Sequence, residues 1–137
     1  MEIKRGDNQK ERKSLTGKFK LFFKGPFLGD KINLWLLIIT LVVNIINWLI
    51  LLIFLKPATE NIILHYNVYF GVDMTGKRIL AFILPAIGLL LIIINSYLAK
   101  YFHRNNETIA GYILLIAALM AQLSLIIASF SVIIINY

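Results

Sequence analysis

The chain contains no cysteine. Disulfides, thiolate metal sites and cysteine nucleophiles are therefore excluded. Charge is also scarce: 15% of residues carry it, against roughly a quarter in an average soluble domain. What fills the space is apolar, 59% of the chain, with a mean hydropathy of +0.79. A soluble domain of this composition would expose large apolar patches and aggregate. With 137 residues there is room for one domain.

Three apolar runs are free of charge altogether: Ile32 to Leu55, Ile79 to Ala99 and Ile109 to Ile135, of 24, 21 and 27 residues. A hydrocarbon core of roughly 30 Å is crossed by about 20 helical residues. Within lipid, only a helix closes its backbone hydrogen bonds inside a single segment. Buried helices of a soluble bundle would each need a charged face, and none of these runs has one. The expected fold is an all-α integral membrane protein with three transmembrane helices. Residues 56–78 form one structured extracytoplasmic loop, and residues 1–31 a basic cytoplasmic tail.

Orientation follows from Lys and Arg. Residues 1–31 hold nine, the 56–78 connection holds Lys56, Lys77 and Arg78, and the 100–108 connection holds Lys100 and Arg104. The positive-inside rule then sets the N-terminus in the cytoplasm and the C-terminus outside. Lys77 and Arg78 dissent, because they border the outer end of the second span. The basic tail is not read as a cleavable signal peptide: the run behind it is too long and no small-residue cleavage site follows. Within the tail, Leu15, Phe19 and Phe22 share one side of a helical stretch, with Lys20 and Lys24 on the other. This pattern predicts a short interfacial helix on anionic lipid. The interleaved aromatics and the adjacent span favour lipid over nucleic acid as the tail's partner.

Each span has one polar or small-residue face at 100° per residue. Asn33, Thr40, Asn44 and Asn47 align on the first. Ala81, Pro85, Gly88, Asn95 and Ala99 align on the second, and Gly111, Ala118, Gln122 and Ser129 on the third. Amides facing lipid would lack partners, so these faces are expected to point at protein. Asn44, Asn47, Asn95 and Gln122 are the predicted intramembrane packing residues. The competing reading is a polar path for a substrate or ion. No span carries Asp, Glu, Lys, Arg or His, the usual marks of such a path. Pro85 is expected to kink the second helix, because it removes one backbone donor.

The outer loop concentrates the remaining chemistry: His65, Tyr66, Asn67, Gly71, Asp73 and Lys77. Residues Ile62 to Phe70 suit an extended segment, and Gly71 and Gly76 offer positions for turning with positive φ. Its apolar side chains are expected to rest on the helix ends, with Tyr66, Tyr69 and Phe70 in the interfacial belt. His65 and Asp73 are expected to converge and fix the loop. A His–Asp pair also suits a metal ion or a catalytic pair, but two ligands with Asn67 as a poor third fall short of a metal site. No cofactor and no catalytic constellation is implied. Partner or peptide binding is the further alternative.

The pattern His65-Tyr66-Asn67, then Gly71 and Asp73, then Lys77 directly before an apolar helix with Pro85, resembles the loop of a bacterial membrane domain of unknown function. That domain occurs in the immunity protein against the sporulation-delaying toxin and in many small membrane proteins. The resemblance covers about residues 57 to 95. It departs from the family pattern at Ile63 and Val72, both of which are often proline there. It implies a loop between the first two spans in which His65, Asn67, Gly71, Asp73 and Lys77 form a shared structural or recognition element. The family has no established enzymatic activity. The leading expectation is thus a non-enzymatic binding or regulatory membrane protein, immunity-like, acting through its outer loop. The alternatives are an accessory or assembly subunit packing against a partner membrane protein, and a small homo-oligomeric transporter.

Overall fold

The computed structural model describes residues 26–57 and 61–137. The interfacial segment expected within residues 14–24 lies outside them. A helical turn, Pro26–Gly29, leads into helix α1 (Lys31–Phe54). Strands β1 (Ile62–Asn67) and β2 (Gly71–Gly76) follow, then a 3-10 turn, Arg78–Phe82. Helices α2 (Ile83–Arg104) and α3 (Thr108–Ile135) complete the chain. Three helical segments, Lys31–Phe54, Arg78–Arg104 and Thr108–Ile135, are long and apolar enough to cross a membrane.

The all-α expectation needs one correction. The loop between the first two spans is an antiparallel β-hairpin, β1 pairing with β2. Its cause is local: β-branched and aromatic residues before the turn, and a glycine able to close it.

The helix boundaries have identifiable stops. Asp30 caps α1, its carboxylate accepting the Ile32 N–H at 2.9 Å. Leu55 is already extended, as befits a chain approaching Pro57. Pro85 occupies the third position of α2, just past the 3-10 turn. In a helix's first turn the backbone N–H has no intrahelical partner to lose, so the proline marks a 3-10 to α junction. The α2–α3 connection is short because Asn106 adopts a left-handed φ of 63°, which asparagine tolerates. Glu107 N–H then reaches the Phe102 carbonyl at 3.0 Å and Asn106 N–H the His103 carbonyl at 3.3 Å, the pairing of a Schellman C-cap.

The three helices run up, down and up. At one end Tyr112 of α3 reaches Asp30 ahead of α1, and Asn33 of α1 approaches His103 of α2. At the other end Leu51 and Leu55, Ile62 of β1, Ala81, and Val132 and Ile133 of α3 bury an apolar cluster. The hairpin therefore sits on the end remote from Asp30.

The predicted polar faces point inward. Asn33, Thr40, Asn44 and Asn47 are buried, as are Pro85, Gly88 and Ala99 on α2 and Gly111, Ala118, Gln122 and Ser129 on α3. At the centre the Asn44 amide donates to the Pro85 carbonyl at 2.9 Å and to Gln122 Oε1 at 3.0 Å. Gln122 Nε2 donates in turn to the Gly88 carbonyl at 2.8 Å. One amide from each of two helices thus ties all three together. Asn47 is equally buried, but neither atom of its amide has a hydrogen-bond partner among the described residues. Asn95 departs further from the expectation. It is half-buried and donates to the Leu91 carbonyl of its own helix at 2.9 Å. This i−4 back-bonding satisfies the donor with no second helix.

Small residues permit the contact. A Cβ built on Gly88 would lie 2.6 Å from Gln122 Oε1 and 2.7 Å from Asn44 Nδ2. One on Gly111 would lie 3.1 Å from the Ala99 carbonyl. Gly88→Ala should therefore push the two amides apart and destabilise the protein by about 1–3 kcal/mol. Gly29→Ala, with open space around its Cβ, should be nearly neutral. Unfolding of both variants in mixed detergent checks the contrast.

Candidate functional site

The hairpin is the site the loop residues build. Its tip is three residues, Val68 to Phe70, closed by Asn67 opposite Gly71. Gly71 takes a φ of 79°, a left-handed geometry that favours glycine. The Asn67 side chain accepts the Tyr69 N–H at 2.9 Å, forming an Asx turn. Asn67 is thus a turn-former and does not converge with His65 and Asp73.

His65 and Asp73 do meet. His65 Nδ1 lies 2.7 Å from Asp73 Oδ1. The strand register explains the approach. Ile63 faces Thr75, His65 faces Met74 and Tyr66 faces Val72. Leu64 and Asp73 are the extra residues at two bulges, and such residues are re-aimed out of the regular alternation. The pair is wet, with side chains 63% and 42% exposed. An exposed ion pair contributes about 0–1 kcal/mol. Among the described residues, no group of three or more His, Cys, Asp or Glu side chains is placed to hold a metal ion. The His65–Asp73 contact fits a small brace on the hairpin's outer surface.

Gly76 does not have a positive φ; among the described glycines only Gly71 has one. Gly76 is buried instead, and a Cβ there would lie 2.6 Å from Leu80 Cδ1 and 2.8 Å from Leu64 Cδ1. Its role is close packing where the hairpin meets the second span. Lys77, at the start of the 3-10 turn, has an exposed side chain, and Tyr66 is exposed as well.

The tip differs from the expected apolar loop lying on the helix ends. Ile62 is buried, and Ile63 and Leu64 are half-buried against the bundle. Val68, Tyr69 and Phe70 project away, 85%, 90% and 84% exposed.

What holds the hairpin is a residue that sequence reasoning missed. Asn136, one residue past α3, accepts the Ile63 N–H on Oδ1 at 2.8 Å. It donates from Nδ2 to the Ile63 carbonyl at 2.6 Å and to the Val132 carbonyl at 2.7 Å. Ile63 is thereby bonded on both its backbone groups by one side chain, which stands in for a third strand along the edge of β1. Beside it, Lys56 Nζ lies 4.7 Å from the Tyr137 ring centroid.

A second polar cluster, also missed, lies at the opposite end. Asp30 accepts the Tyr112 hydroxyl at 2.5 Å and the Ile32 N–H at 2.9 Å. The Asn33 amide donates to the Phe27 carbonyl at 3.1 Å, with His103 Nδ1 at 3.5 Å. The His103 ring meets Phe27 edge-on. The Tyr112 hydroxyl holds the Asp30 carboxyl below its ordinary value, helped by the backbone N–H of Ile32 and by the nearby His103. Partial desolvation opposes them. The cluster closes that end of the three-helix bundle. Its partners stand 82 residues apart in the case of Asp30 and Tyr112, beyond any periodic signal.

Asn136→Ala should strip both hydrogen bonds from Ile63 and loosen the hairpin by about 1–3 kcal/mol. His65→Ala should cost less than about 1 kcal/mol. Amide exchange at Ile63 and Leu64 checks the ranking. Faster exchange in the His65 variant than in the Asn136 variant would reverse the assignment of the brace.

Comparison of the chain with protein-family models, with curated proteins and with solved structures finds no match; its function is read from the geometry above.

Proposed function

We propose that this chain is a non-enzymatic, multi-pass membrane protein that binds a partner through its outer hairpin, in a regulatory or immunity-like role. One observation carries the reading. Three apolar side chains, Val68, Tyr69 and Phe70, are held out at the tip of a hairpin braced at its turn, across its strands and along its edge. Exposed aromatics on a preorganised element are typical binding anchors. The resemblance of the His65–Lys77 pattern to the loop of the bacterial immunity-protein domain points the same way.

The competing readings draw less support. An accessory subunit or a homo-oligomeric transporter would use the polar helix faces between chains. Here Asn44 and Gln122 spend their hydrogen bonds inside one chain. Many exposed side chains on the helices are Leu, Ile, Val and aromatic, which suit lipid.

In this reading the N-terminus is cytoplasmic and the hairpin and C-terminus extracytoplasmic. The support is the bias of nine plus two basic residues against three. Arg78, which runs against the bias, has a local task. Its Nη2 donates to the Leu52 carbonyl at 3.4 Å and its guanidinium lies against the Phe82 ring. A cation at the carbonyl end of α1 is favourable there.

The chain has no native cysteine, so single cysteines report cleanly. Asn61→Cys should react with an impermeant thiol reagent on intact cells, and Asn105→Cys only after permeabilisation. The reverse pattern would overturn the orientation. A photo-crosslinking residue at position 69 should then yield one discrete protein adduct in cells, while the same residue at lipid-facing position 93 yields none. Lipid adducts alone at position 69 would contradict the binding role.

A further inference from the structure

Two polar side chains are enclosed in the hairpin half of the bundle without a partner. Asn47 of α1 and Ser129 of α3 are fully buried. Neither atom of the Asn47 amide has a hydrogen-bond partner among the described residues, and the Ser129 hydroxyl has none either. Ser129 differs in this from other hydroxyls on the helices. Thr40, Ser96, Ser124 and Ser131 each donate to the carbonyl four residues back, at 2.6–3.2 Å. Ser129 makes no such bond.

The register of the helices sets Asn47 and Ser129 at one level. Helices α1 and α3 run in the same direction. An offset of 82 residues relates Asp30 to Tyr112 at one end of the bundle. The same offset relates Leu51 to Ile133 in the apolar cluster at the other end. Between these ends it relates Asn33 to Leu115 and Thr40 to Gln122, all four buried. It relates Asn47 to Ser129 as well. The two groups thus lie inside the bundle at one depth, and they do not bond each other. Unpaired polar groups at one level, beyond hydrogen-bond reach of each other, are what a bridging water satisfies.

The chemistry of the place selects its occupant. It offers an amide and a hydroxyl, each able to donate and to accept. The three apolar runs carry no Asp, Glu, Lys, Arg or His, so an ion there would have no countercharge. A neutral molecule with donors and acceptors fits, and water is the smallest. An amide left dry costs free energy, and a bound water offsets that cost.

We propose that Asn47 and Ser129 hold one ordered water inside the bundle, a hydrogen-bonded bridge from the first span to the third. Leu51, Ala81 and Ile133 lie between it and the hairpin, closing the site from that end. The bridge is a second polar tie, about one turn from the Asn44–Gln122 pair. It does not depend on what the hairpin binds.

A crystal structure of the full chain grown in lipidic mesophase, at a resolution that shows ordered waters, tests this. The expected density peak lies about 2.5–3.2 Å from both the Asn47 amide and Ser129 Oγ. Ser129→Ala, which removes one oxygen and adds nothing, should abolish the peak, because two polar partners are the fewest that hold a buried water. Unfolding in mixed detergent gives an independent reading. Asn47→Leu and Ser129→Ala should each lower the folding equilibrium constant about 3- to 30-fold. Ser131→Ala, at an exposed position bonded within its own helix, should change it no more than about twofold. A direct Asn47–Ser129 hydrogen bond would overturn the proposal, as would an empty site or a peak that persists in Ser129→Ala. So would a higher folding constant for either substitution, the result expected of polar groups left dry.

Discussion

The rest of the structure depends on two amides buried away from bulk water. Asn44 and Gln122 meet at the centre of three apolar helices: Asn44 donates to Gln122 and to one carbonyl of α2, and Gln122 donates to another. In hydrocarbon an unmet amide costs several kcal/mol, whereas leucine against leucine gains nothing over leucine against lipid. Apolar packing would leave the helices free to slide and rotate. The amides choose one arrangement, and Gly88, with no Cβ to crowd them, leaves room for both to reach α2. Registry at the centre then sets both ends. It brings Tyr112 to Asp30 on one side and Asn136 to Ile63 on the other.

The hairpin inherits its position from that registry. Leu64 packs over Gly76, Ile62 enters the apolar cluster with Leu51 and Val132, and Asn136 pairs with the outer edge of β1. The exposed His65–Asp73 contact is a minor contribution beside these. A rigid stem and a bare aromatic tip follow from the same division. Residues 62–64 are spent on attachment, and residues 68–70 remain for contact with something else.

Much of this was legible in the sequence, for reasons that are themselves physical. The charge-free runs begin within one residue of the three apolar helical segments, because hydrocarbon thickness imposes length. The second segment extends to Arg104, five residues past the run, because the Asn106 cap stops the helix beyond the apolar stretch. The inward faces were legible because the helical period is regular and amides avoid lipid. The meeting of His65 with Asp73 was legible because Gly71 reverses the chain between them. The hairpin pairing was only half visible, since bulges at Leu64 and Asp73 blur the alternation that marks a strand. Gly76 looked like a turn and is a packing contact, a distinction made by Leu64 and Leu80 and not by its neighbours in sequence. Asn95 sits on the right face, but a carbonyl of its own helix reaches it first. Asn136, Asp30, His103 and Tyr112 left no local signal. Each is a single polar residue at a helix end whose partner is set by the assembled bundle.

The buried amide pair keys the three helices, and a double-mutant cycle on Asn44→Leu and Gln122→Leu measures that coupling. Stability is read from reversible unfolding in mixed detergent. Each single substitution should cost about 0.6–2 kcal/mol. The double variant should lose clearly less than the sum, with a coupling of at least about 0.5 kcal/mol. Strict additivity, or a gain in stability from either single substitution, would contradict the claim that these two side chains key the bundle together.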